Sequence, residues 1–142
     1  MAENIHTLLS MELPAVLESL PAFSARITGC AKEAGFGERK LGAMELAVEE
    51  AIVNIVKYSS SSPDSVITAT CGTDGSGAFY ITIIDSGPPF DPLERDTPDT
   101  RAGIDDRPVG GLGIFFIKEM TDGVTYNREA GKNILTIKMK KQ

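Results

Sequence analysis

The stretch VITATCGTDGSGAFYITIIDSGPPF, residues 66–90, decides the fold. Val66–Cys71 and Phe79–Asp85 are rich in β-branched and aromatic residues, and Thr73-Asp74-Gly75-Ser76-Gly77 between them is turn-forming. Two such runs joined by so short a turn predict an antiparallel hairpin. Its second arm runs straight into Asp85-Ser86-Gly87-Pro88-Pro89-Phe90.

Toward the C-terminus a second hairpin follows, with arms Val124–Arg128 and Asn133–Lys140 around Gly131-Lys132. Leu135, Ile137 and Met139 alternate with Thr136, Lys138 and Lys140, so one face is buried and the other wet. Toward the N-terminus the period changes. From Glu38 to about Tyr58, Leu41, Met44, Val48, Ala51 and Ile55 keep the three-and-four spacing of a buried helical stripe. Before it, Phe23, Ile27, Cys30, Ala31 and Ala34 mark another helix that Gly35 ends. That helix starts near Ser19 or bends at Pro21. Residues 5–10 read as a short strand, and Pro14 suits a first helical turn. The sum is an α/β (α+β) two-layer sandwich, helices on one face of a mixed but mostly antiparallel sheet, in a single domain over 1–142.

Composition excludes several classes. The 142 residues are 42% hydrophobic and 24% charged, which is neither disordered, collagenous nor coiled-coil. Fourteen bases against 20 acids give a net charge of −6, so the electrostatic footprint of a nucleic-acid binder is missing. No apolar run approaches the ~20 residues of a membrane span, and the start lacks a basic and apolar signal segment. The expectation is a cytoplasmic protein that binds neither membrane nor nucleic acid. Cys30 and Cys71 are too few for a disulfide framework or a zinc site, and His6 reads as an ordinary solvent-facing histidine.

Three elements carry chemistry. Glu50, Asn54 and Lys57 form a polar line at i, i+4 and i+7 on the second helix, which on an arbitrary helix is ordinary solvated surface. A strand ends in Asp85-Ser86-Gly87. Residues 91–109 then form a loop with Pro92, Pro98 and Pro108, six acids and three arginines. Loops longer than about 12–15 residues in a compact domain are usually functional lids or linkers. It ends in Gly110-Gly111-Leu112-Gly113, opening an apolar helix through Met120 that Gly123 caps. Glycines there either serve turn geometry or bare the backbone N–H groups that hold phosphate oxygens. No P-loop run and no dinucleotide-binding Gly-x-Gly-x-x-Gly is present.

In this order and spacing, the three elements resemble the Bergerat, or GHKL, ATP-binding fold of gyrase, Hsp90, MutL and histidine kinases. Within it the chain resembles the stand-alone anti-sigma factor serine/threonine kinases of bacterial partner-switching systems, over nearly its whole length. Glu50 to Asn54 looks like the N box, Asp85 to Phe90 the G1 box, and Gly110 to Ile114 the G2 box. Pro89 stands where the G1 box often has its second glycine.

The resemblance implies a role for each residue. Asn54 would hold the Mg²⁺ of Mg²⁺-ATP, Asp85 would accept from the adenine amino group, and Gly87 would let the backbone approach the base. Gly111 and Gly113, with Leu112 between them, would contact phosphates, and Glu50 would be the general base. Lys57 stands open between a nucleotide contact and a solvated lysine, and Arg107 between a γ-phosphate contact and a lid surface residue. The implied activity is phosphorylation of a STAS-domain anti-anti-sigma antagonist together with sequestration of a sigma factor. The implied assembly is a homodimer, with residues 5–34 as the expected self-association surface. Two other readings stay open: a nucleotide-gated binding module without kinase activity, and a detached histidine-kinase catalytic domain. Glu50 argues against both.

Overall fold

The computed structural model describes residues 5–59, 62, 64–94 and 117–141. In chain order the elements are β1 (His6–Pro14), α1 (Leu20–Glu33), α2 (Glu38–Asn54), β2 (Val66–Thr73), β3 (Phe79–Asp85), β4 (Gly123–Glu129) and β5 (Lys132–Met139). A 3-10 turn, Leu17–Ser19, leads into α1, and a π-helical turn, Ile55–Ser59, continues α2. The five strands lie in the order β1-β2-β3-β5-β4. Every pairing among the described residues is antiparallel, so the parallel component of the expected mixed sheet is not found there.

The predicted core stripes are the ones that bury. Phe23 and Ile27 from α1 and Met44, Val48, Ala51 and Ile52 from α2 pack on Ile67, Ile81, Ile83 and Ile137 of the sheet. Each large side chain so buried contributes roughly 1.5–3 kcal/mol, which fixes both helices to one face. Gly35 ends α1 at φ +101°, the left-handed conformation that glycine adopts without strain. On the open face a row of hydroxyl residues, Ser10, Thr70, Thr82, Thr136 and Thr125, crosses all five strands in register.

Some boundaries differ from the expectation, each for a local reason. β1 runs on to Pro14, which pairs with Val66 instead of opening a helix. The absent N–H of proline is harmless at the end of an edge strand. Pro21 sits in the first turn of α1, where it fits without a bend. The α-helical part of α2 stops at Asn54, and its last stretch widens into the π-helical turn. Gly123 begins β4. Of the helix expected after the glycine turn, residues 117–120 are described and helical.

Candidate nucleotide site

The site grows from the buried side of α2. Because Met44, Ala47, Val48 and Ala51 anchor one stripe to the sheet, the neighbouring line points Asn54 inward, where it is 2% exposed. Glu50, one turn earlier, is half-buried. Burial pushes its carboxyl above the usual glutamate range, Glu49 pushes the same way, and the Lys57 charge opposes both. Lys57 itself is exposed on the π-helical turn. Single π turns in helices are frequent at functional sites. Here the turn carries Ser59 into the interior and sets Tyr58 in a stack on Phe90, with ring centroids 5.4 Å apart.

Strand β3 supplies the second half. Its inward positions are Phe79, Ile81, Ile83 and Asp85, so the aspartate is delivered to the helix side by strand parity. Asp85 pairs in register with Asn133 of β5, and both are 5% exposed. Asp85 Oδ2 accepts from the Ser59 hydroxyl at 2.5 Å and from the Gly87 N–H at 2.9 Å. The Asn133 amide nitrogen donates to Ser59 Oγ at 3.0 Å, to Asp85 Oδ2 at 3.2 Å and to the Pro88 carbonyl at 2.9 Å. Its Oδ1 accepts from the Phe90 N–H at 3.1 Å and from the Tyr126 hydroxyl. Arg128 ties the same turn from outside, donating to the Gly87 carbonyl at 2.8 Å.

Gly87 is required here by proximity. A Cβ at that position would lie 1.9 Å from the Ser59 carbonyl oxygen, so the turn after β3 and the π-helical turn meet backbone to backbone.

Asn54, Ala51 and Ile55 from the helix side and Asp85, Asn133 and Phe90 from the sheet side line one cavity of about 20 Å³. That is room for about one water. Two larger grooves, of about 680 and 700 Å³, lie beside α1 and at the start of α2. Neither gathers the buried polar groups found around Asp85.

Asn54 is the residue of this cavity whose chemistry would suit a divalent cation. Asn54 Nδ2 is buried without a hydrogen-bond partner, so the amide has unmet capacity, and exchanging its two ends would turn the oxygen to the same spot. Among the described residues no three His, Cys, Asp or Glu side chains cluster to hold a metal. An ion here would therefore rest on the Asn54 amide and on ligand oxygens, a set that suits Mg²⁺.

Asn54 and Asp85 thus line one cavity, with Gly87 bonded to Asp85 in the turn after β3 and Glu50 one helical turn before Asn54. Arg107, Gly111, Leu112 and Gly113, and the loop 91–109 beyond residue 94, lie outside the described residues. The sequence reading missed Ser59, Tyr126, Arg128 and Asn133. Asn133 carried a signal, since it stands on the same parity as buried Leu135, Ile137 and Met139, where a polar residue is out of place.

The family model described as Histidine kinase-like ATPase domain matches residues 13–139. The chain belongs to that family. This histidine kinase-like ATPase is 30% identical over 136 residues to the Serine-protein kinase RsbW of Staphylococcus epidermidis, covering 92% of this chain and 85% of the relative. It is 25% identical over 139 residues to the protein of the same name from Listeria monocytogenes serotype 4a, covering 95% and 88%. Two solved structures share the fold. One comprises the RsbU and RsbW domains of Rv1364c from Mycobacterium tuberculosis, with a TM-score of 0.63 at 14% identity over 94% of this chain and 32% of that one. The other is the SiaB-SiaC complex from Pseudomonas aeruginosa, with a TM-score of 0.63 at 11% identity over 94% of this chain and 89% of that one. The fold of this ATPase family is therefore present from β1 through β5. No helix among the described residues is long and apolar enough to cross a membrane.

Proposed function

We propose that this chain is an ATP-dependent protein serine/threonine kinase that phosphorylates a STAS-domain anti-anti-sigma antagonist and sequesters a sigma factor. The observation that carries the reading is the shared cavity: a buried aspartate with a free oxygen and a buried, unsatisfied asparagine, with a glutamate one helical turn away. Asp85 Oδ2 is taken by internal donors, and among the described residues Oδ1 accepts no hydrogen bond. An unprotonated carboxylate accepts and cannot donate, so Oδ1 suits the exocyclic amino group of adenine and repels the carbonyl that guanine has there.

Asn54 would hold Mg²⁺, which when bound neutralises charge on the phosphates. Gly87 keeps the wall of the base pocket flat. Glu50 takes the proton from the attacking serine hydroxyl as that oxygen bonds the γ-phosphorus of ATP and the bond to the bridging oxygen breaks, releasing ADP. Burial raises the Glu50 pKa, which makes it a stronger base than an ordinary glutamate. Lys57 on the π-helical turn, and Arg107, Gly111, Leu112 and Gly113 by resemblance, would contact the nucleotide. The names of the RsbW relatives support serine as the acceptor. A homodimer through residues 5–34 is supported by exposed apolar side chains: Ile5, Leu8, Val16 and Leu17 on β1 and its flanks are all more than a third exposed.

The test is incubation with labelled ATP and candidate STAS-domain proteins, followed by mapping of the modified residue. Label on a serine or threonine of one candidate, lost in Glu50→Gln, is the expected result. Label on histidine would support the detached histidine-kinase reading. ATP-dependent capture of a partner without transfer of label would support the binding module.

A further inference from the structure

The hydrogen bonds around Asn133 fix more than the turn they join. The Phe90 N–H and the Tyr126 hydroxyl both lie against Asn133 Oδ1. The amide N–H of Phe90 can only donate, so the oxygen end of the Asn133 amide must face it. The NH₂ end is thereby turned toward Pro88, Ser59 and Asp85. Asn133 therefore reaches both ends of the Pro88–Phe90 turn at once. Together with Ser59 and Gly87 it holds a single oxygen of Asp85. The carboxylate cannot rotate to offer Oδ2 without breaking three hydrogen bonds.

We infer that Asn133 is the positioning residue that sets base selectivity, by locking Asp85 so that Oδ1 alone meets the base. The inference rests on the reading of Asp85 as the acceptor of the adenine amino group. A carboxylate held in one orientation by three hydrogen bonds cannot turn aside when an analogue lacks the donor. Sites built to bind a substrate N–H discriminate strongly because an analogue leaves their buried groups unpaired, and a fixed Asp85 cannot find another partner. A loosened Asp85 can turn aside, and discrimination falls.

The experiment compares binding of Mg²⁺-ATP and Mg²⁺-ITP, whose base carries a carbonyl in place of the amino group. Titration calorimetry is run on the full chain, the Asn133→Ala variant and the Asn133→Asp variant, with thermal denaturation of each. The wild type is expected to favour ATP. Both variants should lose roughly 10- to 100-fold in ATP affinity, the scale of a hydrogen bond to a charged group, while ITP binding stays nearly constant. The ATP/ITP ratio therefore collapses. Equal weakening of both nucleotides at an unchanged ratio is what a purely structural role would give, and it overturns the inference. Should both variants fail to fold, Tyr126→Phe removes one of the two donors that orient the amide. Its ratio should fall in the same direction, and an unchanged ratio overturns the inference. A wild type that binds ATP and ITP equally overturns the base-reading role of Asp85 itself, and the inference with it. That failure is visible before any variant is measured.

Discussion

Replacing Gly87 by alanine adds one methyl group at the tightest point of the site. The new Cβ would lie 1.9 Å from the Ser59 carbonyl oxygen, 2.6 Å from Ser59 Oγ and 2.8 Å from the Ser59 carbonyl carbon. Ordinary contacts begin at about 3.4 Å, so the turn after β3 and the π-helical turn must part by about 1.5 Å. Two of the three atoms are backbone, and no rotamer change relieves them. Overpacking of this kind costs about 1–3 kcal/mol. The separation also breaks the Ser59–Asp85 and Gly87–Asp85 hydrogen bonds, each to a charged group and each contributing about 1.5–3 kcal/mol. With partial relaxation a net loss of about 3 kcal/mol in folding stability follows. Calorimetry should also record weaker Mg²⁺-ATP binding, by roughly 10- to 100-fold, because Asp85 is no longer held for the base. Thermal denaturation should fall by about 10 °C, since 1 kcal/mol moves the midpoint of a chain this size by about 3–4 °C. An alanine variant that binds ATP within about twofold of the wild type, with an unchanged midpoint, would refute the reasoning.

Further outcomes follow from the same geometry. Glu50→Gln should keep ATP binding and lower phosphotransfer by roughly 10²–10⁴-fold. Because burial raises the Glu50 pKa, wild-type transfer should increase with pH through a midpoint above the ordinary glutamate range, and rate-against-pH measurements on the glutamine variant should lack that limb. Asn54→Ala should weaken nucleotide binding in Mg²⁺ far more than in EDTA, as read by parallel titrations. Asp85→Asn presents donors to a donor, and should lose most ATP affinity in the same assay. Asp122 accepts from the Lys140 N–H and from Lys40, and these hold its carboxyl below the usual range. Its contribution is therefore present above the unfolded-state pKa and lost as pH falls through the lowered folded-state value. Denaturation of Asp122→Asn should show a loss of up to about 1 kcal/mol at neutral pH that vanishes in acid.

How much of this was legible in the sequence depended on how far apart the interacting residues lie. The helical stripe through Met44, Val48 and Ala51 is a local signal, and its residues bury as their spacing says. Asp85 and Gly87 were legible because the strand and the turn after it are contiguous. Asn133 was not, because its meaning comes from Asp85, 48 residues away, and appears only when β3 and β5 pair. Ser59 was hidden by a different cause. The regular helical period extends naturally to Tyr58, whereas the chain widens into a π turn after Asn54 and swings Ser59 against Gly87. Pro14 was misplaced because proline suits the start of a helix and the end of an edge strand equally well, and only the partner Val66 distinguishes them.

The direct opposition of Asp85 and Asn133 in the β3–β5 ladder has a consequence for how the chain matures. A slip of one residue between these strands would turn an entire strand inside out, sending one member of the pair to the open face. Nucleotide can therefore be held only by chains whose central strands have joined in the native alignment. Bound ligand at about 100 times its dissociation constant would stabilise those chains by about 2.7 kcal/mol over every misaligned competitor. ATP added during refolding would thus act as an inspector of strand alignment, raising the yield of native protein before any phosphate is transferred.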